Sequence, residues 1–293
     1  MRKRNALRYV FAVLLLIVAV GLFAYPVIAN YVFEHRADSI VETVEASDVD
    51  ETDPAVQEQI QQAQAYNEVI AGGHVQLTDP FMEEQLDEEA GEYYDLLNMT
   101  DDGVMGVIEI PAIEVSLPIY HGTSETILEK GVGHLQGTSL PIGGESTHTV
   151  LTGHSGLSNA KLFTDLTAME EGDYFFLHVF GEKLAYQVDQ ITTVLPAEIS
   201  NLQVEPGQDY CTLVTCTPYG VNSHRLLVRG HRTDYEEAAA DPSNLTTKAV
   251  DSEWMSEYRK ALGISLGLCV SVLAVVFLIR YMGSRSRIVD EFM

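Results

Sequence analysis

Residues 212–230 read TLVTCTPYGVNSHRLLVRG, with Cys216 closing one alternating apolar run and Arg225 opening the next. A free thiol titrates near about 8.5, so only a few per cent of it is thiolate at neutral pH. A nearby cation raises that fraction, and a histidine can carry the proton away. If the two runs are neighbouring strands, the eight-residue connection TPYGVNSH places both side chains at one rim of a sheet, where reacting groups are commonly displayed. The pairing therefore predicts an activated nucleophile beside a permanent cation.

The histidine is less sharply defined. His154 lies in TVLTGHSGL, just past another strand-like run and before the flexible SGLSN, from where it could reach over a rim. Spacing alone does not select it over His121, His134, His148, His224 or His231, whereas His178 inside YFFLHVF reads as a sheet residue. The chain contains no CxxC, no HExxH and no tight His/Asp cluster, so no metal or cofactor is expected. Cys211 and Cys216, five residues apart on one strand, are separated by about 16 Å and face opposite ways, too far for a disulfide. Cys211 then reads as a small core residue, and Cys269 falls in an apolar segment near the C-terminus.

These groups need a scaffold, and the period of the sequence supplies one. From Gly103 onward, GVIEIPAIEVSLPIYHG gives two runs around a proline-containing turn, THTVLTG alternates, and DYFFLHVFGEKLAYQVDQITTVLP reads as a hairpin across Gly181. With the two strands of the opening stretch, this predicts a mainly β, closed antiparallel barrel over 103–233, with short helices. Upstream, Asp53 and Pro54 form a helix start, Val56, Ile60, Ala63, Tyr66 and Ile70 recur at helical spacing, and Gly72 and Gly73 supply the stop. The acidic EEQLDEEAGEYYDLL that follows fits a second helix or a solvated segment.

Two apolar segments, 10–29 and 261–279, are each long enough to cross a bilayer. The first is an uncleaved anchor or a signal peptide. Arg2, Lys3, Arg4 and Arg8 before it, and Arg280, Arg285 and Arg287 after the second, place both ends in the cytoplasm. The expected organisation is a cytoplasmic N-terminus (1–9), a span or signal anchor (10–29), a helical region (30–102), the barrel (103–233), a linker (234–260), a second span (261–279) and a cytoplasmic tail (280–293). The outward-facing residues 31–258 carry 8 Lys and Arg against 41 Asp and Glu. That balance excludes a nucleic-acid partner and favours partners with basic segments.

The TLVTC motif, followed nine residues after its cysteine by Arg225 and preceded upstream by LTGH, resembles the sortase family of Gram-positive transpeptidases. The full string TLVTCTPYGVNSHRLLVRG is similar to class C, the pilin-polymerising sortases. TDPF at 78–81 resembles that class's lid, and a second span is also similar to class C. The resemblance implies an eight-stranded sortase-type barrel and selects three catalytic residues: Cys216 as nucleophile, His154 as general acid/base, and Arg225 to stabilise the oxyanion or hold substrate. It implies that Asp79, Pro80 and Phe81 form a lid over the thiol. It further implies a multi-span cell-membrane enzyme, with its catalytic ectodomain facing the cell wall, that cleaves an LPxTG-like signal between Thr and Gly and joins the acyl group to a lysine of the next pilin subunit. The alternatives are a sortase anchoring monomeric proteins to peptidoglycan, a cysteine hydrolase, and a non-enzymatic surface ectodomain.

Overall fold

The computed structural model describes residues 2–46, 49, 52–73, 77–82, 91–98, 103–249 and 252–290. Eight strands close a barrel: β1 (Val104–Ile110), β2 (Val115–His121), β3 (Val132–His134), β4 (Thr147–Thr152), β5 (Tyr174–Val179), β6 (Glu182–Val194), β7 (Asp209–Thr217) and β8 (His224–Thr233). They neighbour one another in the order β1-β2-β3-β4-β7-β8-β6-β5. The barrel is mixed, which corrects the antiparallel expectation, because β2 with β3 and β4 with β7 pair in parallel. Parallel neighbours are joined by crossovers, which leave none of the short-range turn signals from which the antiparallel arrangement was read. The β5–β6 hairpin is of the expected kind: Phe180 and Gly181 both have positive φ, as a tight turn matching strand twist requires.

Period two sorts the side chains of β7. Cys211 and Leu213 point into the main core, whereas Val214 belongs to a second buried cluster with Leu135, Val150, Val194, Leu202 and Leu227. Cys216 shares the parity of Val214, and Arg225 that of Leu227. Both therefore lie on the outer face of the barrel wall, where that cluster is covered by Leu77 and Phe81.

Among the helices, α1 (Arg2–Ala46) packs Val41 and Val44 against Val104, Val107 and Tyr120, so β1 is buried on both faces. Helix α2 (Pro54–Gly72) starts as expected, with the Asp53 carboxylate accepting from the Ala55 amide at 2.8 Å. Its buried stripe holds Ala63 and Ile70, but also Asn67, whose amide side chain both donates to and accepts from the Leu140 backbone, at 3.2 and 2.7 Å. The acidic segment yields α3 (Gly91–Asp95), while 83–90 lie outside the described residues. A single turn, α4 (Glu125–Leu128), bridges β2 and β3. The stretch expected as a linker begins on the barrel: α5 (Tyr235–Ala240) buries Ala238 against Phe176 and Ala185, and the Lys248 amide donates to Ala112 at 3.0 Å.

The chain divides into two compact units, Ala24–Val250 and the terminal segments Met1–Phe23 with Asp251–Met293. In the terminal unit, Tyr258 of α6 (Glu253–Asp290) donates its hydroxyl to the Phe23 carbonyl at 2.7 Å. Among the described residues one helical stretch, Ile17–Val44, is long and apolar enough to cross a membrane. By length and composition it fits an anchor or a signal sequence. The expectation of two spans is corrected to this one candidate. The segment 261–279 is helical within α6, but the side chains of 272 and 275–279 fall outside the described residues.

Candidate active site

Antiparallel pairing of β7 with β8 sets Cys216 directly opposite Arg225. Parallel pairing of β4 with β7 then aligns Thr152 with Val214 and continues through the Gly153 amide, which donates to the Val214 carbonyl at 3.0 Å. His154, two residues past Thr152, is thereby carried to the level of Cys216, two residues past Val214. The turn that aims the imidazole is held on three sides. Thr215 Oγ1 donates to the Gly153 carbonyl at 2.7 Å, the Phe163 amide donates to the His154 carbonyl at 3.0 Å, and a Cβ on Gly153 would meet the Phe163 ring at 2.7 Å. Only glycine fits between the strand end and that ring.

Arg225 is 8% exposed and fully engaged. Its Nε donates to Asp79 Oδ1 at 2.8 Å and its Nη2 to Asp79 Oδ2 at 2.6 Å, while Nη1 reaches the carbonyls of Asn222 and His224, both at 3.1 Å. Desolvation opposes the guanidinium charge, but the hydrogen bonds and charge of Asp79, together with Cys216, outweigh it and raise the Arg225 pKa. Asp79 is itself buried, so the two form a bidentate pair out of water, the geometry in which losing either partner strands a charge.

The Phe81 ring neighbours both the cation and the histidine, 4.9 Å from the guanidinium carbon and 5.7 Å from the His154 ring centroid. Asp79 thus contacts Arg225 and Phe81 contacts both Arg225 and His154, with Asp79 and Pro80 buried. Cys216 is 7% exposed, and burial pushes its thiol above the ordinary value; the Arg225 charge opposes that rise and the Asp79 carboxylate adds to it. The covering segment is tied down on both flanks. On α2, Tyr66 Oη accepts from the Gly137 amide at 3.3 Å; on α3, the buried Tyr93 hydroxyl accepts from the Gly122 amide at 3.0 Å and lies 2.8 Å from His134 Nδ1.

The other histidines have separate roles. His134 and His148 are buried, and desolvation lowers each pKa to about 4; their ring nitrogens reach Ser139 O and Gln203 O respectively. His121 faces the Leu96 and Gly103 carbonyls, and His224 pairs with Ser223 Oγ at 2.8 Å. His231 opposes Tyr210 at the far end of β8. Arg229, on the same face of β8 as Arg225, is held by Asp189 through two 3.0 Å hydrogen bonds and stacks 4.1 Å over Tyr210. One neighbour escaped the sequence reading: Glu125 Oε2 stands 3.3 Å from His154 Nε2. A lone glutamate on a single helical turn after β2 carries no periodic or motif signal. Cys211 and Cys216 are both unbonded thiols, as expected. Among the described residues no group of three His, Cys, Asp or Glu is disposed to hold a metal.

The sortase domain family matches residues 108–233, the barrel almost in full. Among solved structures, sortase C-1 from Actinomyces oris is 46% identical, covering 61% of this chain and 98% of that one with a TM-score of 0.59. The chain belongs to the sortase family. Sortase C-1 from Streptococcus pneumoniae, at 45% identity, covers 67% of this sortase and 99% of that chain with a TM-score of 0.62, and the chain falls with class C. Two curated relatives align over less of their length. Sortase A of Streptococcus agalactiae is 32% identical over 117 residues, 39% of this chain and 47% of that protein, and sortase D of Bacillus subtilis is 30% identical over 130 residues, 43% and 63%. This sortase thus spans about half to just under two thirds of these two relatives.

Proposed function

We propose that this sortase is a cysteine transpeptidase of pilus assembly, in which Cys216 attacks the Thr–Gly carbonyl of an LPxTG-like signal on a pilin. The thiolate forms the new C–S bond, and the tetrahedral oxyanion is held by Arg225, a donor whose charge does not titrate away. His154 protonates the departing glycine amine as the C–N bond breaks. A lysine of the next pilin subunit then resolves the thioester. What carries this reading is the meeting of three separate chain segments: Cys216 and Arg225 in register, with Asp79 and Phe81 laid over Arg225 and His154. The solved relatives support the pilin assignment, since one is described as sortase C1 of a pilus island. The functional unit is the barrel 103–233 with the helical and lid region 30–102 before it. Membrane attachment through the part of the apolar stretch Ile17–Val44 that precedes its barrel-packed end, with the barrel facing the cell wall, completes the arrangement.

The test incubates the full chain with an LPxTG peptide, a lysine-bearing pilin and a peptidoglycan-type amine, and follows the products by mass spectrometry. An isopeptide-linked product is expected. Hydrolysis alone points to a hydrolase, transfer only to a peptidoglycan amine points to anchoring of monomers, and neither outcome is compatible with pilus assembly.

The covering segment acts as a lid under the same reading. Removing a ring stacked on a desolvated cation forfeits about 1–2 kcal/mol, or roughly tenfold in occupancy of the closed state. Asp79→Ala combined with Phe81→Ala is therefore expected to speed modification of Cys216 by a small thiol reagent at least about tenfold. Part of the gain comes from removing the carboxylate that raises the thiol pKa. An unchanged rate is the result that removes the lid role.

A further inference from the structure

The lid segment also borders a second space. This is a cavity of about 760 Å³, walled by Phe81 and Met82 of the lid, Tyr94, His121, Gln136 and the α4 turn, and it meets His154 through Glu125 and Phe81. Phe81 is common to this cavity and to the covered site, so the two spaces share one wall. The volume is within the range of small-ligand pockets, about 300–1,000 Å³.

Its chemistry is one-sided. Among the described residues that line it, Glu125 supplies the single Asp, Glu, Lys or Arg side chain, and Met82, Tyr94, Ile127 and Leu128 supply apolar wall. His121 is held below its ordinary pKa by burial, so it adds little positive charge at neutral pH. Glu125 is 61% exposed, and its carboxylate approaches the one ring nitrogen of His154 that is buried without a hydrogen bond. The 3.3 Å approach is not aligned as a hydrogen bond, so the carboxylate remains open to a stronger donor. A partly apolar passage whose single charged group, among the described residues, is a carboxylate beside a proton acceptor is complementary to a primary ammonium on a flexible apolar stem.

We infer that the part of this cavity walled by Tyr94, His121, Gln136 and the α4 turn, which stays in place when the lid leaves, is the entry site for the amine that resolves the acyl-enzyme, with Glu125 binding the incoming lysine ammonium next to His154. The inference rests on the transpeptidase reading and divides the site in two, with the acyl donor on the Arg225 side and the amine on the Glu125 side. The ammonium gives up two protons in forming the amide. One is retained by the Cys216–His154 pair as the C–S bond breaks and the thiolate leaves, which restores its resting proton count, and the other passes to solvent. Lysine binding also fits the wider charge, since 41 acidic residues lie between 31 and 258.

The test uses the full chain carrying the lid substitutions, an LPxTG peptide as acyl donor and acetyl-lysine amide as amine probe, with and without Glu125→Gln. An exposed carboxylate–ammonium contact contributes up to about fivefold in affinity, so the lysine adduct is expected to fall about fivefold relative to hydrolysis at low amine and to recover at saturating amine. Glu125→Asp should restore part of that partition. With hydroxylamine, which is uncharged at neutral pH, the partition should shift far less. An unchanged lysine partition, or an equal loss of adduct and hydrolysis that marks a carboxylate acting only through His154, overturns the inference while leaving the transpeptidase reading in place. Failure of the parent protein to form any acyl-enzyme overturns both.

Discussion

Arg225→Ala is expected to lower acyl transfer by about 10²–10³-fold, the usual cost of deleting a donor aimed at a developing oxyanion. The same substitution should expose Cys216, because Asp79 would be left as a buried carboxylate without its bidentate partner, a loss of about 3–5 kcal/mol for the docked lid. Turnover and accessibility then move in opposite directions, and an unchanged melting temperature separates this from a loosened fold, which would also expose the thiol as activity falls. The reason is that one guanidinium serves two partners: Nε and Nη2 are committed to the lid, while Nη1 is held by the Asn222 and His224 carbonyls. Lid departure frees the two donors aimed outward and leaves the backbone contacts to keep the side chain in place. Arg225→Lys should not rescue, since an ammonium cannot reproduce a planar fork that meets a carboxylate and two carbonyls together. The measurements are kcat/KM for signal-peptide cleavage and the rate of thiol modification. Retained cleavage in Arg225→Ala sinks the oxyanion role, and a thiol rate no faster than the parent sinks the competition with the lid.

How far this arrangement could be read from the chain depends on the range of the interaction that creates it. The Cys216–Arg225 opposition was legible because both residues lie on one hairpin, where period two and an eight-residue connection suffice. Helix α2 was legible from Asp53 and Pro54 for the same local reason. The approach of His154 was not, since it depends on a parallel pairing between β4 and β7, with β5 and β6 intervening in the chain. Choosing that histidine took a family resemblance, and the structure adds why the others are unavailable: burial and carbonyl contacts hold His134 and His148 elsewhere. Binary patterning also placed the reacting groups at a barrel rim, whereas parity puts them on the outer face beneath Leu77 and Phe81. An outer face that is buried by a separate segment looks the same in sequence as a core. The residues that seat that segment, Asn67 and Tyr93, are polar groups whose buried hydrogen bonds no hydrophobic period reports.

The largest effect is expected from Cys216→Ala, which should reduce transfer by about 10⁴-fold or more and abolish the covalent adduct with an LPxTG peptide, as removal of a nucleophile does elsewhere. The fold should tolerate it. Cys216 lies near a strand end with some exposure, so loss of one sulfur costs roughly 1 kcal/mol at most, well short of unfolding a domain of this size. Cys211 provides the internal contrast. It is fully buried in the main core, where burial drives its thiol pKa well up and removes it from chemistry. Cys211→Ala should therefore lower the melting temperature while leaving adduct formation intact, and Cys216→Ala should do the reverse. This crossed result separates an enzyme from a surface ectodomain that merely buries two thiols: in the second case neither substitution changes pilin binding beyond its effect on stability. An adduct that survives in Cys216→Ala and disappears in Cys211→Ala would transfer the nucleophile to the barrel interior, where neither Arg225 nor His154 points.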